Sequence, residues 1–308
     1  MFKLTNLFIF IFFIFSSINS YAKIEIKFKI EDEIITNIDI EQEKKYLIFF
    51  NPNLKKLNKS QITKISENSL IQEIIKKHEL NKVFKDYEDK KFIKNLKKNL
   101  FKFKGAKNEK EFKQILSSQK ISYERIIEKA KNERLWSQLI FRKFEKSVKI
   151  NEEKLKAKLI NKISNEKKYE YNLSEILFEI VEKENFKEKN IEIKNFIKSN
   201  GFAAAVSKYS ISNSAYSDGK LGWIKETLLS ENLVAILSSM SSGSITKPIK
   251  YPNGYLLLKL NDKKEIKQKI DLEKELKELI NFEKNKQLNQ FSLLFYKKLK
   301  QNTDINEY

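Results

Sequence analysis

Residues 253–260 read NGYLLLKL, a glycine turn followed by a short apolar strand whose leucines point to both faces. A strand that is apolar on both sides is buried on both sides, so something must cover it above and below. Upstream, SITKPIK (244–250) and the turn YPNG lead into it, and before them come a helix over about 230–240 and a short LGW strand at 221–223. Further back, SISNSAYSDG (210–219) is a loop of small polar residues. It follows the short helix FAAAVSKYS, a glycine stop at Gly201, a helix through Ile191 and Phe196, and a strand in KYEYNLSEILFEI (168–180). Strand, helix, helix, strand, helix, strand, strand over about 95 residues makes a compact α+β unit.

On either side of this unit the period is helical. Thr36 or Asn37 caps a helix running to Phe50, and Ser60–Leu80 places Ile62, Ile65, Leu70, Ile71, Ile74 and Ile75 on one face. Another helix is expected from about Asp86 to Phe103. Asn108 caps a short helix, Ser122 starts one of about six turns, and Asn151 caps one ending near Ser164. Before all of them, Ile24, Ile26, Phe28 and Ile30 alternate with charged residues as one face of a strand. After the α+β unit, Ile266–Lys300 carries an apolar stripe through Leu272, Leu279, Leu288, Phe291, Phe295 and Leu299. So much apolar surface does not stand alone in water, and the helices before Lys168 are where it is expected to pack.

The 308 residues contain 61 Lys+Arg against 41 Asp+Glu, a formal net charge of +20. The cations are nearly all lysines interleaved with glutamates, without an Arg-rich cluster, which reads as a solvated basic surface and not a nucleic-acid module. Weak contact with anionic membrane surfaces follows from the same surplus. Cysteine is absent, which removes disulfides, thiol catalysis and lipid attachment at a cysteine. The first 22 residues, MFKLTNLFIFIFFIFSSINSYA, join one lysine, an apolar run from Leu7 to Phe15 and a small-residue stretch ending at Ala22. That run is too short to span a bilayer, so the expectation is a signal peptide cleaved near Ala22 and a periplasmic location.

Five ordered stretches resemble the parvulin-type peptidyl-prolyl isomerases: NLSEIL (172–177), NGFAAAVSKYS (200–210), DGKLGW (218–223), SSGSITKPI (241–249) and NGYLLLKLND (253–262). With the helical flanks, the whole is similar to the SurA-like family of periplasmic chaperones. The resemblance implies a predominantly helical α+β fold: signal peptide 1–22, helical N-terminal chaperone region 23–165, inserted parvulin-like domain 166–264, and a C-terminal helix, 265–308, packing back on the N-terminal region. It implies partners that are unfolded outer-membrane proteins and other exported polypeptides. It also implies a prolyl pocket, onto which Ile224, Leu229 and Leu233 fall. Parvulins work beneath paired histidines beside a Cys or Asp, and here those positions fall on Glu175, Leu256 and Ser212. All three depart from the pattern, and the sole histidine, His78, lies in the helical region.

The expectation is therefore a holding chaperone with a non-catalytic parvulin domain; the alternative is an active isomerase using Ser212 and Glu175. The GxxxxGK[ST] phosphate loop is missing, so ATP independence is expected, and no cofactor or metal is called for.

Overall fold

The computed structural model describes residues 23–84, 90–163, 168–180, 185–252, 254–266 and 271–308. The expected signal peptide, the helix start at Asp86 and the boundary between 165 and 166 lie outside the described residues. The chain opens with a hairpin, β1 (Ile26–Ile30) and β2 (Glu33–Thr36), turned at Glu31–Asp32. Phe28 and Ile30 face inward as expected, but Ile24 and Ile26 are exposed. The pairing irregularity between Ile26 and Phe28 ends the regular ladder there, and the apolar layer beneath stops with it.

The helices α1 (Asn37–Phe50), α2 (Lys59–Val83), α3 (Lys90–Phe103), α4 (Glu109–Ser118), α5 (Tyr123–Phe144) and α6 (Glu152–Ile163) follow. Their starts are chemically marked. Thr36 and Asp39 form a reciprocal cap on α1, and the side chains of Asn58, Asn108, Ser122 and Asn151 accept from the backbone one turn on.

The α+β unit is β3 (Tyr169–Phe178), α7 (Phe186–Asn200), α8 (Phe202–Tyr209), β4 (Lys220–Lys225), α9 (Glu231–Ser238), β5 (Ile249–Tyr251) and β6 (Gly254–Glu265). Its sheet is antiparallel in the order β4-β3-β6-β5. The strand expected over SITKPIK shrinks to β5, with Ile245 bridging Lys259 alone.

The chain then crosses back through α10 (Leu272–Gln301) and ends in β7 (Ile305–Glu307). β7 pairs with the open edge of β1, a strand the sequence reading did not anticipate. Against α5, the ring of Phe295 stacks on Trp136 at 5.7 Å and that of Phe291 on Phe144 at 5.1 Å, while the Trp136 indole N–H donates to Ser292 Oγ at 2.9 Å. The architecture is a helical module, assembled from both ends of the chain, with an α+β domain inserted between them.

Within the module, Glu43 of α1 is wholly buried. Lys129 of α5 donates to it at 2.9 Å, Arg125 at 3.1 Å and the Ser69 hydroxyl at 2.7 Å. Burial alone would raise the pKa of this carboxyl, but these three partners outweigh it and leave the value lowered.

Candidate functional site

The sheet of the α+β domain has two covered faces. Ile176 and Phe178 of β3 and Leu257 of β6 point to α7 and α8, where Ile193, Phe196, Phe202 and Val206 close over them. The other face carries Tyr171, Leu173, Leu177, Leu256, Leu258 and Leu260. The β3–β6 register sets Glu175 opposite Leu258 and Leu177 opposite Leu256. Glu175 and Leu256 are thus diagonal neighbours on one face, not the directly facing pair expected from the sequence.

Glu175 meets Ser212 instead. The loop after α8 is stitched to β3 by Ile211 N–H donating to the Leu177 carbonyl at 2.7 Å. Ser212 then caps a short 3-10 turn, its hydroxyl accepting from Ser214 N–H at 3.2 Å and donating to Glu175 Oε1. The Ser214 hydroxyl donates to the same oxygen at 2.8 Å. Gly219 makes the approach possible. With φ of +71° and an imagined Cβ only 2.3 Å from the Glu175 carbonyl oxygen, no other residue fits there unchanged. Two of the three positions carried over from the family pattern, Glu175 and Ser212, are in contact, joined by hydroxyls, and among the described residues no cation pairs with Glu175.

Leu256 lies in a closed apolar cluster with Leu177, Leu258, Ile211 and Leu233. Ile224 and Leu229 are buried among Tyr171, Leu173, Leu237 and Leu260, and Leu233 packs at the junction of both clusters. From above, α10 covers this face: Phe282 packs on the Ile224–Leu229 cluster and Leu293 on the Leu256 cluster. Polar ties fix the crossing. Lys225 pairs with Glu275 and, at 2.6 Å, with Glu278, and the Thr227 hydroxyl donates to Glu275 at 2.6 Å. The three positions assigned to a prolyl pocket thus belong to a packed apolar cluster that Phe282 of α10 also joins.

An apolar open space lies elsewhere. A cleft of about 600 Å³ separates the helical module from the α+β domain. Tyr46, Leu47, Phe50, Leu54 and Ile65 line it from α1, α2 and the turn between them, and Ile180, Ala215 and Tyr255 from the domain. Leu293, Leu294 and Tyr296 of α10 complete it. Ser212 also lines it, so the loop that reaches Glu175 shares the cleft wall. The rim is charged: Lys297 pairs with Glu179 at 3.0 Å across the two units, and Lys208 lies 4.6 Å over the Tyr209 ring. At the end of α1, Asn51 donates to the Ala203 carbonyl at 3.2 Å and to Ser207 Oγ at 3.1 Å, which fixes the spacing of the walls.

Sequence reasoning missed this cleft because its lining comes from three distant segments. The available signal was the aromatic end of α1, with Tyr46 and Phe50. His78 sits apart on α2, its Nε2 3.2 Å from Glu33 Oε1. Among the described residues there is no cluster of His, Cys, Asp or Glu that would hold a metal ion, and no helix long and apolar enough to cross a membrane.

Residues 176–262 match a family model described as a rotamase, the PPIC-type PPIASE domain. The chain thus contains a parvulin-type domain, set in a helical scaffold. The chain is similar to SurA chaperones: the Chaperone SurA of Pseudomonas putida is 26% identical over 162 residues, and that of Pseudomonas fluorescens is 28% identical over the same length. Each match takes in 50% of this chain and 38% of the relative, so the similarity spans about two fifths of those proteins. Among solved structures, a SurA-like chaperone of Campylobacter jejuni aligns over 92% of this chain and 98% of its own, at 18% identity and a TM-score of 0.38. The PrsA isomerase of Bacillus anthracis covers 77% of this chain and 100% of its own, at 18% identity and a TM-score of 0.30.

Proposed function

We propose that this protein is an ATP-independent, exported chaperone that holds unfolded outer-membrane proteins in the cleft between its two units, with the parvulin domain as wall and scaffold. The observation that carries this reading is the cleft itself. Its apolar and aromatic walls and ionic rim match the chemistry of an extended polypeptide with apolar side chains, and about 600 Å³ is within the range that takes several such side chains. The similarity to chaperones of the SurA kind supports it. The expected signal peptide and periplasmic location belong to the same proposal.

Prolyl isomerisation requires the proline ring in an apolar pocket and a twisted amide favoured there over a barrier of about 18–20 kcal/mol. Here the residues at the pocket positions lie in an apolar cluster that Phe282 packs against, and Glu175 and Leu256 stand where the resemblance calls for histidines. Both features favour a holder over a catalyst. The second reading, an isomerase using Ser212 and Glu175, is favoured by the contact between those two residues.

Two measurements separate the readings. The chain without its first 22 residues should suppress aggregation of an unfolded β-barrel protein, and Leu294→Asp should weaken that suppression several-fold. Leu294 lines the cleft and is half exposed, so the substitution spares the core. No suppression by the parent chain overturns the proposal. A proline-containing tetrapeptide should isomerise at its uncatalysed rate; acceleration lost in Glu175→Gln would establish the second reading.

A further inference from the structure

Residues 90–107, KKFIKNLKKNLFKFKGAK, comprise α3 and the turn after it, and they contain eight lysines, no arginine and no acidic residue. Within α3, Lys91, Lys94, Lys98 and Lys102 recur at three- and four-residue spacing, which puts them on one side of the helix. All four are exposed. Among the described residues, no carboxylate lies within ion-pair distance of Lys94, Lys98 or Lys102. Lys97, on the neighbouring side, reaches Glu109 of α4 at 3.7 Å.

Other sides of the helix hold it to the protein. Leu100 and Phe101 pack into the cluster of Phe112, Leu116 and Ile126, with the Phe101 ring 5.0 Å from that of Phe112. The lysine row therefore points outward from a seated helix about 20 Å long. At its C-terminal end Phe103 is 63% exposed.

We propose that α3 is a docking surface for an anionic lipid bilayer. The charge complementarity is one-sided: a row of cations faces outward, and among the described residues Lys94, Lys98 and Lys102 have no acidic partner, as an array of lipid phosphates requires. Every cation is a lysine, a compact point charge suited to diffuse headgroup contact, where a reader of nucleic-acid bases would present the planar fork of arginine. Phe103 stacks on Phe50 at 6.2 Å, on the side of α3 turned away from the lysine row. The proposal does not depend on what the cleft holds.

The test is flotation of the chain lacking residues 1–22 with phosphatidylcholine vesicles made with and without phosphatidylglycerol. Binding is expected only to the anionic vesicles and is expected to weaken as salt rises. Replacing Lys94, Lys98 and Lys102 together by alanine should lower the affinity on the order of 100-fold. Replacing Lys154, Lys156 and Lys158 of α6, which are also exposed, should leave it nearly unchanged. Circular dichroism checks that each variant keeps its helices. Equal binding to neutral vesicles, no binding to anionic ones, an undiminished α3 variant, or an equal loss in the α6 variant each overturns the proposal. So does retention of duplex DNA by the same lysines at a salt concentration that releases the vesicles.

Discussion

In the helical module the buried carboxylate of Glu43 meets an ammonium and a guanidinium; in the parvulin domain the half-buried carboxylate of Glu175 meets two serine hydroxyls. The first is a charge-neutralised joint between α1, α2 and α5, and each partner becomes a liability if the others are removed. The second is a local tie between a loop and a strand edge, in a domain whose cohesion comes from two apolar faces. The difference separates what each region contributes. The module is specified by polar matching between distant helices, and the domain by the layers closed over its sheet, one of which is lent by α10.

The largest expected effect tests that loan. Trp136→Ala removes the stack on Phe295 and the hydrogen bond to Ser292, and should destabilise the protein by about 4 kcal/mol in urea unfolding. If α10 joins the two regions as its contacts imply, the same variant should loosen the parvulin face beneath Leu293, read as faster amide exchange at Leu256 and Leu258. Unchanged exchange would mean that the domain holds its own face closed.

Glu43→Leu comes next, at about 3 kcal/mol, because among the described residues it leaves buried Lys129 with Glu73 as its one acidic partner. The double variant Glu43→Leu with Lys129→Met should recover most of that loss. An unrecovered double variant would break the comparison, since the loss would then be one of packing and not of unpaired charge.

A pH dependence sharpens the same contrast. The lowered pKa of Glu43 means that its contribution to stability is complete above the unfolded value of about 4.3 and is lost as pH falls through the folded one. The parent chain should therefore lose stability below about pH 4.3 more steeply than the double variant, measured by urea midpoints across that range.

The smallest effect belongs to the parvulin site. Ser212→Ala removes one hydroxyl from Glu175 while Ser214 remains, and should cost about 1 kcal/mol with aggregation suppression unchanged. A collapse of suppression would mean that the Ser212 loop does more than line the cleft wall.

Much of the fold can be read along the chain. The caps at Asn58, Asn108 and Ser122 are local chemistry, and the Ile62–Ile75 face of α2 is a matter of spacing, so both are found without a structure. β2 and β7 were missed for a shared reason: each is only a few residues long, and each is a strand because β1 offers it an edge. Ile24 and Ile26 show the reverse error, an alternation that continues past the point where anything covers it. At the candidate site the sequence named Glu175, Ser212 and Leu256 but not their contacts. The pairing of Glu175 with Ser212 depends on a turn held by Gly219, and the diagonal of Glu175 and Leu256 on a strand register.

The leucines of NGYLLLKL mark the boundary between the two kinds of knowledge. By itself the sequence determined that this strand is buried on both faces, that it ends a parvulin-type pattern, and that position 256 is apolar where a histidine was expected. Periodicity reports which side of an element must leave water, because burial is roughly proportional to apolar area and has no direction. It does not report what does the covering. Only the tertiary structure decided that α7 and α8 take one side, that Phe282 and Leu293 of the returning helix take the other, and that the cleft opens beside them.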